Sequence, residues 1–191
     1  ALENFVAGEF LLNLAAFGFL IQDGYERSEV LFSRAFDLGY NKSDIFYSRG
    51  EVRMETGDPN GAISDFLMYL EKNTIDNSSR DERLHFASVY NKIGSCLVCS
   101  GNARDAITYI EKSIDFIEGE LNLDFVMNLA ESYNQNGNFQ ETLNLLEENE
   151  IEKYVLSDTD KFAYFRVSSL ANYKMSNYEV ALEHVQKDPN K

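Results

Sequence analysis

The chain has 191 residues, with 32 Asp and Glu against 17 Lys and Arg, for a formal net charge of −15. That charge opposes a nucleic-acid backbone and an anionic membrane surface, so neither is an expected partner. Charged residues at 26% and apolar residues at 44% describe a folded chain, and 2 Pro with 11 Gly leave room for long helices.

Taken in chain order, helices are predicted at residues 9–22, 25–38, 43–56, 59–73, 80–100, 103–118, 122–136, 139–151, 158–176 and 178–187. The first holds the most apolar stretch, Phe10 to Ile21, FLLNLAAFGFLI. It is too short to cross a bilayer, and only Glu3 and Glu9 carry charge before or within it, where a signal peptide needs basic residues. A core helix is the expected reading. This helix is apolar almost all round, through Phe10, Leu11, Leu12, Leu14, Phe17, Phe19, Leu20 and Ile21. Such a helix is normally buried on every side. Cover is therefore expected from an upstream segment, a ligand or a second copy, the last giving a homo-oligomer through the first helix.

Further along, Ser79-Arg80-Asp81-Glu82 and Ser157-Asp158-Thr159-Asp160 read as helix starts, Ser accepting from the backbone three residues on. NTIDNSS before the former reads as a polar loop. Neither loop is long enough to split domains, so one continuous solenoid over residues 1–191 is expected. After the last helix KDPNK acts as a stop without a capping helix, which suggests continuation past Lys191.

The cysteines, Cys96 and Cys99, sit three apart in a predicted helix, with poor geometry for a bridge. They read as small packing thiols. Free thiols and no anchor point to the cytoplasm, with export left open. His85 and His184 are far apart in sequence and read as surface or satisfied histidines. No phosphate-cradling, dinucleotide or nucleophile-elbow motif occurs, and no metal ligand set does, so neither an enzyme nor a cofactor is expected.

The strongest signal is internal repetition. Windows starting at Glu9, Ser43, Ala87, Leu123 and Phe162 align, with spacings of 34, 44, 36 and 39. Position 4 is always large and apolar: Leu12, Phe46, Tyr90, Val126 and Phe165. Position 8 is always small: Ala16, Gly50, Gly94, Ala130 and Ser169. Position 20 is small again (Ser28, Ala62, Ala106, Thr142, Ala181), and position 24 apolar (Phe32, Phe66, Ile110, Leu146, Val185). The turns DGYERS, GDPNGA, GNARDA, GNFQET and SNYEVA separate the halves. Each window therefore reads as two helices folded back on each other. The small residues permit close approach, and stacking supplies the core that one hairpin lacks.

This pattern resembles the tetratricopeptide repeat family from residue 9 to about 188. Gly50, Gly57, Ala62 and Phe66 carry it best. The resemblance implies an all-α, right-handed α-α superhelix of about five helix-turn-helix repeats, at about 9–42, 43–76, 80–120, 121–154 and 158–188. Departures are Tyr40, Thr74, Glu118 and Tyr154 where the family closes a repeat with Pro. Others are Tyr69, Asn149 and Asp188 at position 27, and polar Arg53 and Asn172 at position 11.

The resemblance further implies protein binding in a concave groove lined by the first helix of each repeat. The residues it places there include Asn13 and Phe17 in the first repeat, and Tyr47, Glu51 and Glu55 in the second. Asn91 and Ser95 follow in the third, Glu131, Asn134 and Gln135 in the fourth, and Arg166 in the fifth. The basic residues that grip a chaperone's acidic C-terminus are missing, which argues against that co-chaperone role. Asn and Gln suit the backbone of an extended peptide, and the glutamates favour Lys or Arg on it. The expected function is thus a peptide-binding scaffold. The alternative is a structural segment that self-associates through the first helix or extends a longer solenoid.

Overall fold

The computed structural model describes residues 7–12, 15, 24–40, 42–73, 79–118, 122–154 and 157–187, and every regular element among them is helical. The chain divides into two compact units, 1–77 and 78–191.

In the first unit, residues 7–12 and 15 are helical, followed by α1 (Tyr25–Asp37), α2 (Ser43–Glu55) and α3 (Pro59–Lys72). Asp58 starts α3: its side chain accepts from the Gly61 N–H at 2.9 Å, and Pro59 supplies a helical φ at the first position. The core joins Phe32 and Ala35 of α1 to Ile45, Phe46 and Val52 of α2, with Ala15 and Tyr40. Tyr40 stands where the family places Pro. Its buried ring closes the repeat by packing instead.

In the second unit come α4 (Arg80–Cys99), α5 (Ala103–Phe116), α6 (Leu123–Asn136), α7 (Phe139–Glu148), a 3-10 turn (Ile151–Lys153), α8 (Asp158–Lys174) and α9 (Tyr178–Lys187). The expected starts at Ser79 and Ser157 are present. Ser79 accepts from Glu82 N–H at 3.3 Å, and Ser157 with Asp160 forms a reciprocal box. The helix predicted to reach residue 151 ends at Glu148. Asn149 turns its amide back to Leu145 O at 2.8 Å, and the 3-10 turn follows. In this unit α4 lies against α5 and α6, α6 against α7 and α8, and α8 against α9.

The repeat signature has a direct packing meaning. A Cβ on Gly50 would stand 2.7 Å from the Phe66 ring, and one on Gly94 would run into Ile110. Position 8 is thus small because position 24 of the same hairpin fills its place. Position 20 also meets this region: Thr142 Oγ1 donates to Ala130 O at 3.3 Å, and Ser28 Oγ to Ala15 O at 2.8 Å.

The turns repeat as well. Gly57, Gly101 and Gly137 have φ of 79°, 77° and 84°, and Ser176 takes the same place with φ 65°. In each turn the following N–H returns to a carbonyl five residues back at 2.8 Å, as from Asp58 to Arg53 and from Asn177 to Asn172. The thiols differ in environment: Cys96 is buried and Cys99 exposed, and neither is in a disulfide.

Candidate functional site

Of the residues expected in the groove, Asn13 and Phe17 lie outside the described residues. The others fall into two groups, one in each unit.

In the first unit, Tyr47, Glu51 and Glu55 follow at intervals of four, which puts them along one face of α2. Tyr47 is half-buried, its ring 5.5 Å from that of Tyr69 and 6.1 Å from that of Phe66. Burial, reinforced by a hydrogen bond to the Glu51 carboxylate and its charge, raises the phenol well above its ordinary pKa. Glu55 is exposed beside a cleft of about 410 Å³ shared with Tyr25, Glu26 and Thr56. This stripe is aromatic at its base and acidic at its tip.

A second polar group in this unit was missed from the sequence. Asp65 of α3 is 2% exposed and accepts from Arg49 Nε at 2.8 Å, Arg49 Nη2 at 2.6 Å and Arg53 Nη1 at 2.8 Å. Arg53 Nε also donates to Glu29 Oε1 of α1 at 3.1 Å. The two guanidiniums and two carboxylates tie α1, α2 and α3 together, with Arg49 lying over the Phe36 ring at 5.4 Å. Arg53, a departure from the family pattern, is therefore a tether between helices. The signal available in the sequence was an Asp on the second helix opposite two Arg on the first.

In the second unit, α4, α6 and α8 carry the remaining residues. Asn91 is 9% exposed, and its Oδ1 accepts from Asn128 Nδ2 at 3.2 Å, joining α4 to α6. Ser95, one turn later, is half-buried. Glu131 is the centre of the group. Its Oε1 accepts from Gln135 Nε2 at 3.1 Å, and Arg166 Nη2 of α8 stands 3.0 Å from Oε2. That approach lacks the alignment of a hydrogen bond, so Oε2 is a buried oxygen with no hydrogen-bond partner among the described residues. Gln135 is exposed, and the Arg166 side chain is 49% exposed.

Asn134 corrects the expectation. It is 5% exposed, donates to Val167 O at 2.9 Å and accepts from Thr142 Oγ1 at 2.9 Å. Both ends of its amide are spent inside the α6–α7–α8 packing, so it serves the fold and offers nothing to a peptide. The other polar departure, Asn172, is likewise internal, donating to Ser168 O at 2.9 Å and accepting from Asn177 at 3.2 Å.

Of the histidines, His184 Nδ1 lies 2.8 Å from Ser168 Oγ, with the rings of Tyr164 and Phe165 at 5.8 and 5.5 Å. Among the described residues no group of three or more His, Cys, Asp or Glu could hold a metal ion, and no helix is long and apolar enough to cross a membrane.

No family model matches the sequence, and no curated protein matches it. Solved structures do match. MamA from Desulfovibrio magneticus RS-1 aligns at 13% identity and a TM-score of 0.73, over 95% of this chain and 92% of that one. YrrB, described as a TPR protein with an unusual peptide-binding site, aligns at 15% identity and a TM-score of 0.67, over 94% and 84%. A Podosopora anserina putative kinesin light chain with nearly identical TPR-like repeats aligns at 13% and 0.67, over 95% and 91%. The chain therefore has the all-α tetratricopeptide repeat fold that its residue pattern resembles.

Proposed function

We propose that this chain, a helical repeat protein of the tetratricopeptide fold, is a non-catalytic interaction scaffold. It binds a peptide segment of a partner protein on first helices of its repeats. The observation that carries this reading is the group around Glu131: its side chain is 20% exposed, next to the exposed Gln135 and the half-exposed Arg166. A carboxylate placed there favours Lys or Arg on a bound peptide. The exposed Gln135 amide and the Arg166 guanidinium offer further pairing to an extended backbone. In the other unit, the Tyr47–Glu51–Glu55 stripe has the same preference for basic residues. The solved structure of YrrB adds support, since a peptide-binding site is described for that protein on the same fold.

The test selects short peptides against the purified chain from a random display library and maps the winner by NMR. The reading expects Lys- or Arg-bearing peptides that shift the amides of Glu131, Gln135 and Arg166. Shifts confined to other surfaces would refute the assignment.

A second reading is assembly. On α9, Tyr178, Leu182 and Val185 are 60%, 58% and 44% exposed. Leu146, the fourth repeat's counterpart of Val185, is 6% exposed in the core with Tyr164 and Phe165 of α8. An apolar face of this kind favours a further helix against α9. Light scattering on the native chain and on Leu182→Glu tests it: an oligomer dispersed by the substitution supports it, and a monomer throughout refutes it.

A further inference from the structure

The second unit holds a cavity of about 450 Å³ between the end of α7, the 3-10 turn, α8 and α9. It is not the surface discussed above. Tyr164, Ser168 and Asn172 of α8 line it at intervals of four. At about 100° per residue, Arg166 projects from the opposite side of the same helix.

Its floor is apolar, made by Leu143, Leu146 and Ile151. One polar group in the wall has no hydrogen-bond partner among the described residues: Tyr164 is 7% exposed, and its phenol oxygen is not sealed from solvent. Ser168 and His184, by contrast, satisfy one another. The rim carries charge of one sign in excess. Lys153 is held by Glu150, and outside the lining Lys187 Nζ is held by Glu183 at 2.8 Å, with Glu152 further off at 3.9 Å. Glu147 has no cation among the described residues, and Glu152 has only that distant one.

We propose that this cavity takes an alkyl cation, an ammonium or guanidinium on an aliphatic stem, with the stem on Leu143, Leu146 and Ile151 and the charge between Tyr164 and Glu152. The volume exceeds that of one long basic side chain and lies in the range of small-ligand sites. An ammonium or guanidinium has only N–H donors, which suits a phenol oxygen and carboxylates as acceptors. Burial and the charge of Glu152 already push the Tyr164 phenol up to about 12, so it meets the ligand as a neutral acceptor. The proposal stands apart from the peptide-binding reading, because it uses the other side of α8.

The experiment follows the ring signals of His184 and Tyr164 by NMR in the full chain during titration. The probes are N-acetylarginine amide, spermidine, methylguanidinium and N-acetylnorleucine amide. Saturable shifts at both rings with the arginine amide or spermidine are expected, at least threefold tighter than with methylguanidinium or the norleucine amide. The tighter of the first two distinguishes a protein-borne side chain from a free polyamine. Tyr164→Phe keeps the ring and removes the acceptor, and Glu152→Gln removes the rim charge without touching the core. Each should weaken binding at least threefold. Equal responses to methylguanidinium and the arginine amide would mean a field effect of the acidic chain and would overturn the proposal. So would full affinity in Glu152→Gln, a readout that stands even if Tyr164→Phe fails to fold.

Discussion

Gly50 and Phe66 occupy one another's space: the ring of Phe66 lies where a Cβ on Gly50 would be, 2.7 Å from its Cε1 atom. Phe66 is completely buried and cannot swing away. Gly50→Ala should therefore destabilise the first unit by about 1–3 kcal/mol, although alanine favours helix elsewhere. Gly94→Ala, against Ile110, should do the same in the second unit. Urea unfolding followed by tyrosine fluorescence measures both. A gain in stability from either would refute the packing account of the repeat signature.

Among the described residues, Asp65 is the anion of Arg49 and Arg53 that is withdrawn from solvent; the others, Glu29 and Asp58, are partly exposed and pair with Arg53. Removing Asp65 leaves the buried end of Arg49 without its carboxylate. Asp65→Ala should cost about 3–5 kcal/mol, the loss expected when one side of a buried ion pair is deleted. Glu29→Ala, on the exposed side of the network, should cost under about 1 kcal/mol. Chemical denaturation of the two variants side by side checks the contrast, and equal losses would contradict it.

Ser176 holds a left-handed backbone that three other turns assign to glycine. The side chain costs about 1–2 kcal/mol there, and glycine's greater freedom when unfolded returns part of that gain. Ser176→Gly should stabilise the chain by about 0.5–1 kcal/mol, read as a raised melting temperature. The side-chain bond that Ser176 Oγ accepts from Tyr178 Oη is long, at 3.4 Å, and exposed, so its loss offsets little, and a lowered melting temperature would contradict the account.

His184 gives the second unit a defined response to acid. Burial lowers its pKa below the ordinary 6.5. Glu152 and Glu183 oppose the shift, and Lys187 assists it. Tyr164, Phe165 and Ser168 of α8 also lie against it. Because the folded pKa is depressed, the fold prefers the neutral ring. The stabilisation is complete above the unfolded value of 6.5 and is lost as pH falls through the folded value. Amide exchange in α9 should accelerate on acidification, and His184→Gln should flatten that dependence. A ring titration midpoint above 6.5 would contradict the account.

The helix boundaries were legible because their causes are local. Ser157 with Asp160, Asp58 with Pro59, and the glycines at 57, 101 and 137 fix starts and stops within a few residues of chain. The repeat register was legible because Gly50 and Gly94 must match Phe66 and Ile110. The fate of polar residues was not. Asn134 and Gln135 are adjacent and chemically alike, yet one is saturated by Val167 and Thr142 while the other is exposed. Only the packing of α8 on α6 separates them. Arg53 and Asn172 looked like flaws for the same reason: their partners, Asp65 and Asn177, sit across a turn or on the facing helix. The end of α7 was overrun because Asn149 turns back on Leu145 and Glu150 enters a left-handed conformation, which its charge pattern does not signal.

The central claim, that the surface around Glu131 recognises basic peptide, is tested most directly by charge reversal. The affinity of one display-selected peptide would be measured by calorimetry for the native chain, for Glu131→Lys and for Glu118→Lys, an exposed acid outside the candidate surface. The account predicts at least a tenfold loss for Glu131→Lys and less than a twofold change for Glu118→Lys. Unchanged affinity in Glu131→Lys, or equal losses in both variants, would contradict it.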